Sequence, residues 1–172
     1  PAQKIKKVKM FGKDKVEVIL TGDTFDEASQ KAKDYCEQQK KTYIHPFDDP
    51  KVIEGQATVG LEIIEDADFY IDYLFVPVGG GGLASGLSSW VREVSPSTKI
   101  IGVEPEGAPS MTTAFKEGKV VTLEKIDKFV DGAAVCRVGD LCFDICRENL
   151  HDMITVPEGK LCSTILTLYN ED

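Results

Sequence analysis

The chain has 172 residues, 42% of them hydrophobic and 28% charged, enough for one sizeable core and part of a second lobe. With 29 acidic against 20 basic residues the net charge is -9, which argues against a protein that grips nucleic acid or an anionic membrane. No apolar run approaches the roughly 20 residues that span a bilayer.

The elements follow in chain order. The basic stretch KIKKVK, Lys4 to Lys9, reads as the solvated face of a helix. Val16 to Leu20 (VEVIL) reads as a strand, Thr21-Gly22-Asp23 as a turn, and Thr24 as the cap of a helix reaching Lys40. Thr42 to His45 reads as a strand, and Pro46 to Pro50 (PFDDP) as a turn that separates residues 1–48 from residues 49–172. Gln56 to Asp66 is expected as a helix, Tyr73 to Val78 as a buried strand, and Leu83 to about Glu93 as a helix. Lys99 to Glu104 follows as a strand stopped by Pro105, then Ser110 to Lys116 as a helix and Val120 to Thr122 as a short strand. A helix from Asp140 to Asn149, a strand from Met153 to Val156 and a helix from Glu158 to Tyr169 complete the pattern. Alternation of this kind predicts an α/β fold, a parallel, doubly wound sheet flanked by helices.

The five cysteines are odd in number and contain no C-x-x-C pair, which favours reduced thiols in a cytoplasmic protein over disulfides or a zinc site. Cys142 and Cys146, one helical turn apart, are expected as buried small side chains. His45 and His151 lie far apart, without ligand spacing, and read as satisfied or exposed.

The informative stretch is YLFVPVGGGGLASGL, Tyr73 to Leu87. Each glycine costs backbone entropy on folding, so four together need a reason. They fall at the carboxyl end of a strand and open a helix, where unpaired N–H groups and the helix dipole favour an anion. A phosphate can accept several of those N–H bonds if no side chain intervenes. Gly79, Gly81 and Ala84 also imitate a dinucleotide fingerprint with Glu104 as its acid, but a glycine run meets many such spacings by accident. No Gly-Lys-Ser or Gly-Lys-Thr follows, which excludes a P-loop.

Taken together, VILTGDTFDEA, IHPFDDPKVIEGQATV, VPVGGGGLASGL, IIGVEPEGAPSM, KFVDGAAVCRVGD and ITVPEGKLCSTIL resemble the threonine ammonia-lyases. These are pyridoxal-phosphate enzymes of the two-lobed tryptophan-synthase-β fold, and the resemblance spans essentially the whole chain. It implies that Gly79, Gly80, Gly81, Gly82 and Leu83 cradle the phosphate of pyridoxal 5'-phosphate, and that Gly132 passes close to the cofactor. Asp131 reads equally well as a turn residue. Some relatives hold a cation after the strand that Glu104 ends. Ser110 stands here where a carboxylate would be wanted, so no metal is expected.

The resemblance further implies elimination of water from threonine, and less readily from serine, giving 2-oxobutanoate and ammonia, the first step of isoleucine biosynthesis. The likeness also suggests a homo-oligomer, a tetramer. The family's cofactor-holding lysine, in a Ser-x-Lys-x-Arg motif, and its Ser-x-Gly-Asn-His loop have no counterpart in these residues. No catalytic residue is therefore assigned, and the chain is expected to be an interior fragment, 1–48 from the small lobe and 49–172 from the large lobe. In GQAT, Ala57 replaces the family's usual glycine, a change expected near the lobe boundary. Two alternatives stay open. One is a sibling of the same fold, such as a serine dehydratase, serine racemase or diaminopropionate ammonia-lyase. The other is a non-catalytic phosphate- or nucleotide-binding module.

Overall fold

The computed structural model describes residues 2–171, which divide into two compact units at Tyr43 and Ile44. The first unit contains helix α1 (Ala2–Gly12), a single 3₁₀ turn (Lys13–Lys15) and helix α2 (Phe25–Gln38). Thr24 caps α2 as its position predicts, its side chain accepting from the Glu27 N–H at 3.1 Å. Glu27 reaches back to the Asp23 N–H at 2.9 Å, a reciprocal arrangement close to a capping box.

Two expected strands, Val16 to Leu20 and Thr42 to His45, are absent from the described sheet. Their alternating apolar residues suit a pleated surface, but strand structure requires a neighbour for the backbone N–H and C=O groups. Ile19 and Leu20 are exposed accordingly.

The second unit is built on a three-stranded parallel sheet in the order β1 (Tyr73–Pro77), β2 (Lys99–Pro105), β3 (Asp152–Val156). Val76 pairs with Gly102, and Gly102 with Met153. Parallel neighbours need crossovers. Helix α4 (Gly82–Val94) supplies the first, and α5 (Ser110–Glu117) with α6 (Asp140–Asn149) the second. Helix α3 (Pro50–Asp66) precedes the sheet and packs on α4, and α7 (Glu158–Glu171) follows it. The core gathers Val76, Val78, Leu87, Val91, Ile100, Met111, Val138 and Phe143.

Three further differences from the sequence reading have local causes. Helix α3 starts six residues before Gln56, because Asp49 caps it and Pro50 occupies its first position, where a missing N–H costs nothing. Strand β1 is half open rather than buried, with Tyr73 and Phe75 exposed on one face of the sheet while Val76 is buried on the other. Val120 to Thr122 forms no strand; Val120 packs on the core, and the Leu123 N–H donates to the Cys136 carbonyl.

Candidate functional site

At the carboxyl end of β1 the chain turns through the glycines into α4. Gly81 is the N-cap residue, with φ +101°, a left-handed conformation open chiefly to glycine. The surrounding atoms leave no room for side chains either. A Cβ on Gly80 would lie 2.5 Å from the Phe47 ring, and one on Gly82 2.8 Å from the Phe47 Cβ. One on Gly81 would lie 2.8 Å from the Cys142 Cβ and 2.9 Å from the Met111 Cε, and one on Gly79 3.1 Å from the Ala133 Cα. Close packing on four sides is therefore a second reason for the tetrad, beside an open approach for an anion.

Gly79 to Leu83 and Gly132 line one open pocket of about 290 Å³, together with Pro46, Phe47, Gln56, Pro77 and Ala133. All six residues singled out in the sequence thus meet at one place. Pro46, Phe47, Gln56 and Ala133 were not singled out. A pattern search finds neither Phe47 nor Gln56, since one occupies a turn and the other a helix that only the fold brings to the glycines. Gly132 differs from the tetrad, because a Cβ there meets no atom within 4 Å. Gly132 thus lines the pocket with open space at its Cβ position.

The pocket lining carries no charged side chain, so its polarity comes from backbone and from Gln56. Among the described residues, no hydrogen-bond acceptor is engaged by the N–H groups of Gly79 to Leu83. Orphan N–H groups of this kind occur at every helix start, and a side-chain acceptor often answers them. Neighbouring helices show that solution. Asp49 accepts from the Lys51 and Val52 N–H groups of α3. Glu104 accepts from the Met111 and Thr112 N–H groups of α5 at 2.7 and 2.8 Å, and from the Thr112 hydroxyl. Asp48 accepts from the Asp140 and Cys142 N–H groups of α6, both at 3.0 Å. Helix α4 has no side-chain cap. Its N-terminus keeps its partial positive charge facing the pocket.

Glu104 is thereby committed to α5 and is not a ribose-binding acid. It is almost fully buried, and desolvation raises its pKa above the ordinary carboxylate value despite the N–H groups that favour its charged form. Ser110 donates to the Val135 carbonyl. Among the described residues no group of three or more His, Cys, Asp or Glu could hold a metal ion. Behind the glycine loop lie Cys142 and Cys146, both free and buried as expected. Burial pushes the Cys142 thiol up to about 12 and the Cys146 thiol to about 11. Both are thus inert filler beneath the loop. His45 accepts from the Phe47 and Asp48 N–H groups through Nδ1, and exposed His151 from the Ile100 N–H.

An anion with one compact, multiply charged end fits this place: a loop whose backbone is accessible, a free helix N-terminus, and no opposing carboxylate in the lining. A phosphate monoester has that shape.

The sequence pattern of the family described as pyridoxal-phosphate dependent enzyme matches residues 1–172. The chain is 58% identical over 172 residues to the L-threonine dehydratase biosynthetic IlvA of Halalkalibacterium halodurans, covering 100% of this chain and 41% of that protein. In three dimensions it is similar to the processed form of threonine deaminase isoform 2 from Solanum lycopersicum. The TM-score is 0.90 at 44% identity, over 99% of this chain and 49% of that one. Maize serine racemase follows with a TM-score of 0.88 at 30% identity, over 98% of this chain and 50% of that one. The chain spans about two fifths of the length of the curated relative it matches. By a family match that covers its whole length, this chain belongs to the pyridoxal-phosphate dependent enzymes.

Proposed function

We propose that this chain is the cofactor-anchoring part of a threonine ammonia-lyase, which converts L-threonine to 2-oxobutanoate and ammonia in isoleucine biosynthesis. The supporting observation is the N-terminus of α4, the helix without a carboxylate beside α3, α5 and α6, opening onto the pocket of Gly79 to Leu83 and Gly132. The backbone N–H groups of the glycine loop would hold the phosphate of pyridoxal 5'-phosphate, and the Gln56 amide could add a donor. Bound there, the cofactor supplies an electron sink for the charge that develops when the amino acid loses its α-proton. The chain's own task is orientation: a phosphate fixed by several N–H groups sets where the rest of the cofactor lies. Overall, threonine loses water across Cα and Cβ, and that water returns as the released enamine hydrolyses.

On this reading residues 1–48 are the tail of the small lobe, and residues 49–172 are much of the large lobe. The working enzyme is a cytoplasmic homo-oligomer, a tetramer by family likeness. No described helix is long and apolar enough to cross a membrane. A racemase or dehydratase acting on serine is the second reading, supported by the fold shared with maize serine racemase at lower identity.

The experiment uses the full-length protein. Gly81→Asp should abolish cofactor binding, but it also breaks packing and a left-handed backbone. Gly132→Leu is the cleaner variant, because its side chain enters open space beside the pocket. It should leave the unfolding midpoint unchanged while weakening pyridoxal-phosphate binding by at least about tenfold, or 1.4 kcal/mol. Unaltered affinity in Gly132→Leu would remove the pocket from consideration. Product analysis separates the readings, since threonine should give 2-oxobutanoate and a racemase would give D-serine from L-serine.

A further inference from the structure

Two adjacent aspartates serve different elements. Asp49 caps its own helix, α3, two and three residues on. Asp48 reaches across the fold to α6, its two carboxylate oxygens accepting from the Asp140 and Cys142 N–H groups more than 90 residues later. The turn carrying Asp48 is itself tied down. His45 Nδ1 accepts from the Phe47 and Asp48 N–H groups at 3.3 and 2.8 Å, and the Cys142 thiol donates to the Phe47 carbonyl at 3.4 Å. The Phe47 ring is thereby set against Gly80, and the Phe47 Cβ and backbone against Gly82.

The same end of α6 also grips the glycine loop. The Gly139 N–H, one residue before α6, donates to the Gly80 carbonyl at 3.0 Å. A peptide unit is planar and trans, so a fixed Gly80 carbonyl fixes the Gly81 N–H, which points the opposite way. Gly139 leaves no space for a side chain because its Cβ would collide with the Asp48 carboxylate. One helix end thus joins the Asp48 turn, the Phe47 ring and the orientation of a loop N–H.

We infer that Asp48 is a positioning residue for the phosphate pocket. Its carboxylate clamps the N-terminus of α6, and through Gly139 and Phe47 holds the glycine loop with its N–H groups aimed for a phosphate. The inference rests on the reading that this pocket takes the cofactor phosphate. Asp48 touches no ligand on this account. It acts through Gly80 and Phe47, and its charge also answers the α6 dipole.

The test compares Asp48→Asn with Asp49→Asn in the full-length protein, each freed of cofactor and titrated with pyridoxal phosphate and, separately, with pyridoxal. Asparagine keeps the shape but turns an NH₂ toward one of the two N–H donors, leaving that donor unmet. Asp48→Asn should weaken pyridoxal phosphate by about tenfold, the scale of one charge-assisted hydrogen bond, and speed amide exchange at 79–83. Pyridoxal, without the phosphate, should bind both variants like the unaltered protein. Asp49→Asn should lower the unfolding midpoint and leave cofactor affinity within about twofold, since its cap is local. Asp48→Ser, which keeps one short acceptor, provides a second route if Asp48→Asn does not fold, with the same selective loss expected. Equal affinities for Asp48→Asn and the unaltered protein, or an equal loss for Asp49→Asn or for pyridoxal, would overturn the inference. Failure of the pocket reading would appear differently, as Gly132→Leu binding the cofactor normally.

Discussion

At the residue scale, the cysteines show how environment decides chemistry. Cys142 and Cys146 are fully buried, with desolvation the main cause of their raised pKa values of about 12 and 11. A thiol-specific reagent at pH 8 should therefore leave both untouched in the folded full-length protein and modify them after denaturant is added. Rapid native labelling of either would contradict their placement under the glycine loop. The same shifts set a pH effect. A thiol that ionises near 9 when unfolded and at about 11 or 12 when folded favours the folded state fully below pH 9. That contribution is lost as pH climbs through the folded values. Stability should decline above pH 9, and less steeply in Cys142→Ala. The helical spacing of these two cysteines and their apolar neighbours made their burial legible in sequence. The glycines were legible only in part. Their number signals close approach, but the Phe47 ring and the Cys142 side chain that demand it lie 32 or more residues away, a distance no local pattern bridges.

Helices were more legible than strands, because a helix satisfies its own backbone while a strand needs a partner. Thr24, the alternation around Leu87 and Val91, and the run after Gly139 place α2, α4 and α6 within two residues or so of where they fall. Strand-like segments at 16–20, 42–45 and 120–122 lack ladder partners in the described sheet, and their composition alone cannot supply one. Long-range caps are equally hidden: nothing near Asp48 announces that it serves a helix beginning at Asp140. The crossing of α3 and α4 carries a prediction of its own. A Cβ on Gly86 would collide with the Ile53 carbonyl and lie 2.7 Å from the Ala57 N, so the two backbones nearly touch there. Ala57, expected near a lobe boundary, in fact stands in this crossing. Gly86→Ala should push the helices apart and destabilise the full-length protein by about 3 kcal/mol, the upper end of overpacking. Since Gln56 on α3 lines the pocket, cofactor affinity should drop with it. Gly55→Ala is the internal control. A Cβ there meets nothing, so the helix should gain about 0.5–1 kcal/mol from the lost glycine flexibility. Chemical denaturation of both variants measures the contrast, and equal effects would mean that the crossing is looser than described.

At the scale of the molecule, apolar surface stays uncovered in two places. Among the described residues the sheet has three strands, and β1 has no partner on its outer edge, with Phe75 59% and Tyr73 52% exposed. Helix α7 buries none of its residues, and Ile165, Leu168 and Tyr169 lie open along it. An unpaired parallel edge and a bare apolar helix face both invite association with other chains. The curated relative at 58% identity is more than twice as long as the stretch it shares with this chain. Residues 1–172 produced alone should therefore bind a hydrophobic dye, aggregate as concentration rises and unfold without a sharp transition, whereas the full-length protein should do none of these. The isolated stretch should also give no 2-oxobutanoate from threonine, because it contains no lysine in the family's cofactor-holding motif. Denaturant unfolding followed by fluorescence and light scattering decides the matter. A soluble monomer with a cooperative transition of about 5 kcal/mol or more, an ordinary domain's stability, would mean that the exposed faces need no cover. The pocket at Gly79 to Leu83 would then be the property of a self-sufficient binding module rather than of a larger enzyme.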